Sequence, residues 1–280
     1  MATKALSDAG RGVFAMAGAD LRAVLQDVVT ADLAPLAPRR AVYAALLTPQ
    51  GKYLFDFFLL DGAPFGRDGE VLVDVAADRA ADLARRLRMY CVRRDARLVG
   101  DTGLGVGLLW SDDAGTPPPA PDGAVALADP RHPALGLRVY AADPAAALAG
   151  ATPAGTQDYA ARRVALGVPE TGVELVAEDT FPLEAGLDRL GAVDFRKGCY
   201  VGQEVTARMR HKTTLKKRLV RVAVEGAAAP GTPIETAEGK PAGTLYSQAG
   251  GTALAHLRLD RATGPLTAGD ARVTGVLDEA

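Results

Sequence analysis

An α+β chain ending in a separate β module is the fold class this sequence predicts, on three observations. Strand-like and helix-like patterns alternate over residues 1–100, and from residue 212 onward apolar and polar positions alternate between Pro/Gly turn signals. A length of 280 residues with 48% apolar content calls for two or three cores rather than one. The expected parts are an N-terminal α+β subdomain over 1–100, a second α+β subdomain over 101–211, and a small β-barrel or sandwich over 212–280.

Element by element, "GRGVFAMAG" reads as a buried strand, and Asp20 is placed to cap a helix with Leu21, Val24, Leu25, Val28 and Val29 on one face, ended by Pro35 and Pro38. "AVYAALLT" and "KYLFDFFLLDG" flank Thr48-Pro49-Gln50-Gly51, where proline second and glycine fourth suit a type I turn between antiparallel strands. The strand "EVLVDV" leads to a helix near Asp78 to Cys91, with Ala80, Leu83, Ala84, Leu87 and Cys91 at helical spacing, so Cys91 reads as a small buried hydrophobe. Residues 111–122, "SDDAGTPPPAPD", form a loop. Beyond it come the strand "LGLRVYA" and a helix from Asp158 to Leu166, closed by Gly167 and Pro169. In "PLEAGLDRL", Leu183, Leu187 and Leu190 recur at helical spacing. Val205, Ala207 and Met209 then alternate with Thr206, Arg208 and Arg210, which predicts a strand. "LVRVAVEG" opens the β module, and turns at "APGTP" and "AEGKPAG" divide it.

Composition narrows the function classes. A net charge of -2 gives no global field for nucleic acid, no apolar run approaches the roughly 20 residues of a membrane span, and "MATKALSDAG" lacks signal or transit character. A soluble, cytoplasmic protein without membrane or nucleic-acid partners is expected. Two distant cysteines make neither a disulfide framework nor a clustered metal motif, and three histidines make a self-contained zinc or haem site a poor fit. One segment is locally basic: Arg196 to Arg221 holds nine Lys or Arg against the single acid Glu204, but lacks interleaved aromatics for stacking on bases.

That segment begins with "KGCYVGQE", Lys197 to Glu204. Glycine on either side of Cys199 permits unusual backbone and clears the approach to the sulfur. Lys197 and Arg196 would favour the thiolate, and Glu204 would oppose it. Local chemistry alone leaves two readings open, a reactive thiol and a passive cysteine in a tight turn.

"KGCYVGQE" resembles, residue for residue, the signature of the YgfZ family of folate-binding proteins connected with iron-sulfur cluster assembly and repair. "FPLEAGLDRLGAVDFRKGCYVGQEVTARMRHK", "LQDVVTADL" and "LLTPQGKYLFDF" extend the resemblance over most of the chain. The family is similar in fold to the glycine cleavage T-protein, a folate-dependent aminomethyltransferase. The resemblance therefore implies two sheet-and-helix domains and a C-terminal β-barrel. It further implies tetrahydrofolate or a one-carbon derivative as cofactor, with Glu184 gripping the pterin as in the T-protein's "RLEAG". It marks Lys197, Tyr200, Gln203, Glu204 and Arg208 as further folate or motif-ordering residues, and it reads the basic run, otherwise a solvated face, as attracting the glutamate tail. Cys199 becomes a transient iron-sulfur ligand or redox thiol with no stable metal of its own, and iron-sulfur assembly proteins or client enzymes become partners. The rival is a one-carbon transferase using Asp56, the one aspartate left where the T-protein has an acidic pair. On its strand face Asp56 is either buried at a cost or directed into a cleft.

Overall fold

The structure is a computed structural model that describes residues 3–113, 118–212 and 215–279, so residues 114–117 of the expected loop lie outside the described part. The chain divides into two compact units, one of Met1–Leu47, Phe55–Thr156 and Leu190–Val201, the other of Thr48–Leu54, Gln157–Arg189 and Gly202–Ala280.

The first unit is built on β1 (Thr3–Leu6), β2 (Arg11–Ala17), β3 (Val42–Leu47), β4 (Tyr53–Asp61), β5 (Val71–Ala76), β6 (Arg97–Asp101), β7 (Gly105–Ser111), β8 (Val125–Ala128), β9 (Leu137–Ala141) and β10 (Thr152–Pro153). They form two five-stranded sheets, ordered β3-β4-β5-β2-β6 and β10-β1-β7-β9-β8. Strands β3 and β4 are buried almost throughout, which is why they read as continuous apolar runs. Helix α1 (Leu21–Val28) buries Leu21, Val24, Leu25 and Val28 as its periodicity predicts. Asp20 occupies the position before it without capping it; its carboxylate accepts the Asp95 N–H at 2.9 Å instead. The helix also stops well short of Pro35, because Thr30 turns to β3 and donates its N–H to Ala45 O at 3.0 Å. Helix α2 (Ala80–Tyr90) buries Leu83 and Leu87, and Cys91 follows at 8% exposure; the short α3 (Pro144–Ala147) is capped by the Asp143 carboxylate, which accepts the Ala146 N–H at 3.1 Å.

The two sheets are tied by buried charge. Asp74 of β5, 0% exposed, takes Arg11 Nε at 2.6 Å on one oxygen, and on the other takes Arg138 Nη2 at 2.7 Å and the Tyr140 hydroxyl at 2.8 Å. Arg138 also reaches Asp129, which pairs with Arg131 at 2.8 Å. The Arg138 guanidinium lies 3.9 Å from the Phe58 ring centroid. Burial alone would push both carboxyls up; Arg11 and Arg138 reverse this for Asp74, and Arg131 and Arg138 bring Asp129 down to about 2.

In the second unit, α4 (Thr156–Leu166) and α5 (Gln203–Lys212) accompany β11 (Lys217–Glu225), β12 (Thr232–Thr236), β13 (Pro241–Ala249), β14 (Thr252–Arg258), β15 (Leu266–Ala268) and β16 (Ala271–Glu279). These six strands close a barrel in the order β11-β14-β13-β12-β15-β16. The alternation in "LVRVAVEG" is literal: Val220, Val222 and Val224 enter the barrel core with Ile234, Leu245 and Leu257. The 48–51 turn forms as expected, Gly51 donating its N–H to Thr48 O at 2.9 Å.

Two further expectations fail. The strand predicted from Val205 is helix α5, where Glu204 and Arg208 pair at 3.0 Å across one turn and, among the side chains described, only Thr206 is fully buried. Residues 182–190 form successive turns instead of a helix. Bonds of mixed reach, Ala185 N–H to Phe181 O and Leu187 N–H to Pro182 O, replace the regular ladder next to Pro182 and Gly186.

Two stability predictions follow from these cores. Asp74→Asn leaves two buried guanidiniums undercompensated and should lower unfolding stability by about 3–5 kcal/mol, read from denaturant midpoints; pairing it with Arg138→Met should recover part of the loss. His256, 2% exposed, is held down to about 4 by burial, against 6.5 ordinarily, with Lys217 adding to the depression and its Nε2 contact to Glu174 O opposing it. Between those values the unfolded chain binds the extra proton, so stability falls as pH drops from 6.5 toward 4. In a pH series of unfolding curves, His256→Gln should lose on the order of 2 kcal/mol less than the parent across that window.

Candidate functional site

The loop carrying Cys199 is held from the end of α1. Thr30, fully buried, donates its hydroxyl to Ala192 O at 2.5 Å and accepts the Ala45 N–H at 2.9 Å, while its own carbonyl accepts the Asp194 N–H at 2.9 Å. Asp194 in turn accepts the backbone N–H groups of Arg196 at 2.6 Å and Lys197 at 3.0 Å. The Lys197 ammonium donates to Gln26 O at 2.6 Å and to Val29 O, two of the carbonyls that a helix C-terminus leaves without internal partners. Burial pushes Lys197 down to about 8, with Asp32 and Asp194 opposing the shift.

Lys197 thus fastens the loop to α1, and this carbonyl pairing occupies the ammonium expected to act on the thiol. Its Nζ also lies 5.4 Å from the ring centroid of Tyr200, which is 7% exposed. Between these two anchored residues Gly198 takes φ 101°, and the Cys199 thiol is exposed. The opposite placement of Cys91, buried with its thiol pushed up by burial, leaves Cys199 as the accessible sulfur of the two.

In the second unit, the continuation of the motif starts α5. Gln203 is its first residue, and Glu204 and Arg208 form an exposed ion pair on its surface. The Thr206 hydroxyl donates to Gly202 O at 3.2 Å. Gly51 meets this helix start so closely that an added Cβ would lie 2.9 Å from the Val205 Cβ, and its φ of 75° is itself a glycine conformation.

Glu184 sits in the 182–190 turns, half-buried, with its backbone carbonyl accepting the Leu219 N–H at 2.6 Å. Its carboxylate accepts no hydrogen bond from the described residues. Burial pushes this carboxyl up, and the ammoniums of Lys217 and Lys52 oppose the shift. Lys52 Nζ donates to Asp179 O at 2.5 Å and stands 3.9 Å from the Phe181 ring centroid. A half-desolvated carboxylate without a donor, acted on by two ammoniums of which one stands over the Phe181 ring, fits a flat heterocycle with an N–H edge and an anionic tail. Folate has that chemistry. Sequence reasoning singled out Glu184 and missed Lys52, Phe181 and Lys217, although the first two lie inside the quoted blocks.

Asp56 is 3% exposed in β4 and accepts the Tyr43 hydroxyl at 2.9 Å, in the first unit. Among the described residues no group of three or more His, Cys, Asp or Glu is arranged to hold a metal ion.

Residues 216–278 match the family described as "CAF17, C-terminal beta-barrel domain". The iron-sulfur cluster assembly factor IBA57 homolog, mitochondrial, of Pyricularia oryzae is 35% identical over 254 residues, covering 85% of this chain and 64% of that protein. The Chaetomium globosum homolog is 31% identical, covering 96% of this chain and 74% of its own length, and mouse IBA57 is 34% identical, covering 81% and 67%. The chain thus spans from 53% to 74% of the length of such curated relatives. Among solved structures, the glycine cleavage system aminomethyltransferase T of Bartonella henselae superposes with a TM-score of 0.75 at 15% identity, covering 98% of this chain and 85% of that one.

The T-protein-like fold is therefore as expected. Two expectations change. The relatives are named mitochondrial, which overturns the cytoplasmic assignment drawn from the N-terminal composition. They also carry the name IBA57, of which the YgfZ proteins are the bacterial relatives. On identity and coverage together, the chain belongs to the IBA57 family of iron-sulfur cluster assembly factors.

Proposed function

We propose that this chain is a folate-binding accessory factor for iron-sulfur cluster assembly or repair, and that Cys199 is the thiol it offers to the cluster or client. The observation that carries this reading is an exposed sulfur on a loop whose flanking residues are fixed to α1 by Asp194, Thr30 and Lys197. A thiolate suits iron, but one thiolate does not retain a cluster, so the cluster is cargo and a partner supplies the remaining ligands. Family membership supports the assembly role, since the curated relatives are named assembly factors.

Folate, in this reading, is held by Glu184 accepting from the N–H edge of the pterin, with Phe181 offering a ring face and Lys52 and Lys217 balancing charge. Bound folate would supply a one-carbon carrier; what this chain's residues contribute is orientation of the ring and a partly dry setting for it. The transferase reading asks Asp56 to exchange a proton with substrate. Its burial under the Tyr43 hydroxyl favours a structural carboxylate, and the aminomethyltransferase likeness supports the fold only.

Cys199→Ser should leave the unfolding midpoint unchanged, since the side chain is exposed, while iron-sulfur enzyme activities in cells relying on this chain fall to the level of cells lacking it. Undiminished client activity would sink the role of the thiol. For the second ligand, calorimetry with tetrahydrofolate should show Glu184→Gln binding about tenfold to a hundredfold more weakly; equal affinity would remove Glu184 from the site.

A further inference from the structure

The surroundings of Glu184 hold groups that the pterin reading does not use. Asp179, Tyr246 and His256 belong to the second unit, as do Glu184, Lys52 and Lys217. Burial shifts Glu184 and Tyr246 up and His256 down, and the Asp179 carboxylate acts on all three, with Lys217 opposing it at Glu184 and at His256. One charge felt by the 182–190 turns, by β13 and by β14 lies where these three segments meet. The turn that carries it is fixed. Asp179 and Thr180 donate their N–H groups to Val176 O at 3.2 and 3.0 Å, Glu178 donates to Tyr53 O at 2.8 Å, and the Asp179 carbonyl accepts the Lys52 ammonium. The Asp179 side chain is exposed and makes no hydrogen bond or ion pair among the described residues.

Acceptors therefore outnumber donors here. Glu184 and Asp179 both lack a donor. His256, 2% exposed, stands edge-on to Tyr246 with ring centroids 5.6 Å apart and gives its Nε2 proton to Glu174 O at 3.1 Å. Its Nδ1 is then a bare acceptor, buried and without a partner. Glu174 is the contrast, since its two oxygens accept the Ser247 N–H at 3.1 Å and the Glu170 N–H at 2.9 Å. Unmatched acceptors out of water cost free energy, and a neighbourhood that gathers them is complementary to a ligand rich in N–H groups.

We infer, resting on the folate reading above, that Asp179 is a specificity residue of the Glu184 site and selects the tetrahydro form of the pterin over the oxidised form. Both forms carry the 2-amino and N3–H edge assigned to Glu184. They differ at N5 and N8. Reduction makes each of these an N–H donor, whereas in the aromatic pterin each is a bare acceptor. A carboxylate can only accept, so beside this part of the ring it favours the reduced form and sets lone pair against lone pair in the other. The Glu184 contact alone does not separate the two.

Anaerobic calorimetry with tetrahydrofolate and with folic acid tests this on the full chain, on Asp179→Asn and on Glu184→Gln. The parent should bind tetrahydrofolate about tenfold or more tightly than folic acid. Asparagine keeps the size and adds an N–H donor, so Asp179→Asn should shrink that ratio about tenfold with the unfolding midpoint unchanged. Loss of a charge near the anionic tail changes both affinities alike, which makes the ratio the readout. Glu184→Gln should weaken both forms and leave the ratio in place. Equal parental affinities, a ratio unmoved by Asp179→Asn, or a ratio moved as far by Glu184→Gln would overturn the role of Asp179 while folate binding stands. No binding of either form would overturn both.

Discussion

The C-terminal end of α1 is the constraint on which the Cys199 loop depends. A helix that stops leaves carbonyls without internal partners, and here the Lys197 ammonium takes those of Gln26 and Val29. Thr30, just beyond, takes both Ala45 of β3 and Ala192 of the loop. One short stretch, "VVTAD", therefore sets the helix end, the sheet edge and the motif loop together. An exposed thiol gains nothing from exposure if its loop wanders, because each ordered residue costs roughly 1–2 kcal/mol of chain entropy when a partner docks. Anchoring on both sides of Gly198 and Cys199 removes much of that cost beforehand.

The same unit uses a second device for a different end. Asp74, Arg11, Arg138, Asp129 and Arg131 are withdrawn from water between the sheets, an arrangement that seldom adds net stability over an apolar core. What it does impose is register. Arg138 of β9 has to meet Asp74 of β5 while stacking on Phe58 of β4, and a one-residue slip of any of these strands would turn its group to the other face. Fixing the sheets in this way fixes α1, whose apolar face is buried and whose end bonds to β3, and through α1 the thiol loop.

Much of this was legible from the residues, and what escaped did so for identifiable reasons. The 48–51 turn, the buried runs of β3 and β4, the face of α1 and the inward valines of β11 all follow from local periodicity and turn chemistry. Helix α5 was misread because six residues of alternating apolar and polar character fit period 2, and the helix exposes most of its surface, so no apolar stripe announces period 3.6. Its Ala, Met and Arg content and the Glu204–Arg208 pairing decide the matter locally. Lys197 was assigned to the sulfur next to it in sequence, whereas its carbonyl partners lie in α1, some 168 to 171 positions away. The Asp74 cluster joins residues 63 to 66 positions apart, and no single-sequence pattern reports such pairs.

The reassignment of Lys197 alters the chemistry expected of the thiol. With that ammonium bound to helix carbonyls, its charge is largely answered by backbone dipoles, and the thiol is presented mainly by position. In the proposed function, a sulfur presented by position is the group that meets iron or another sulfur on a partner. It also accords with a family named for assembling clusters.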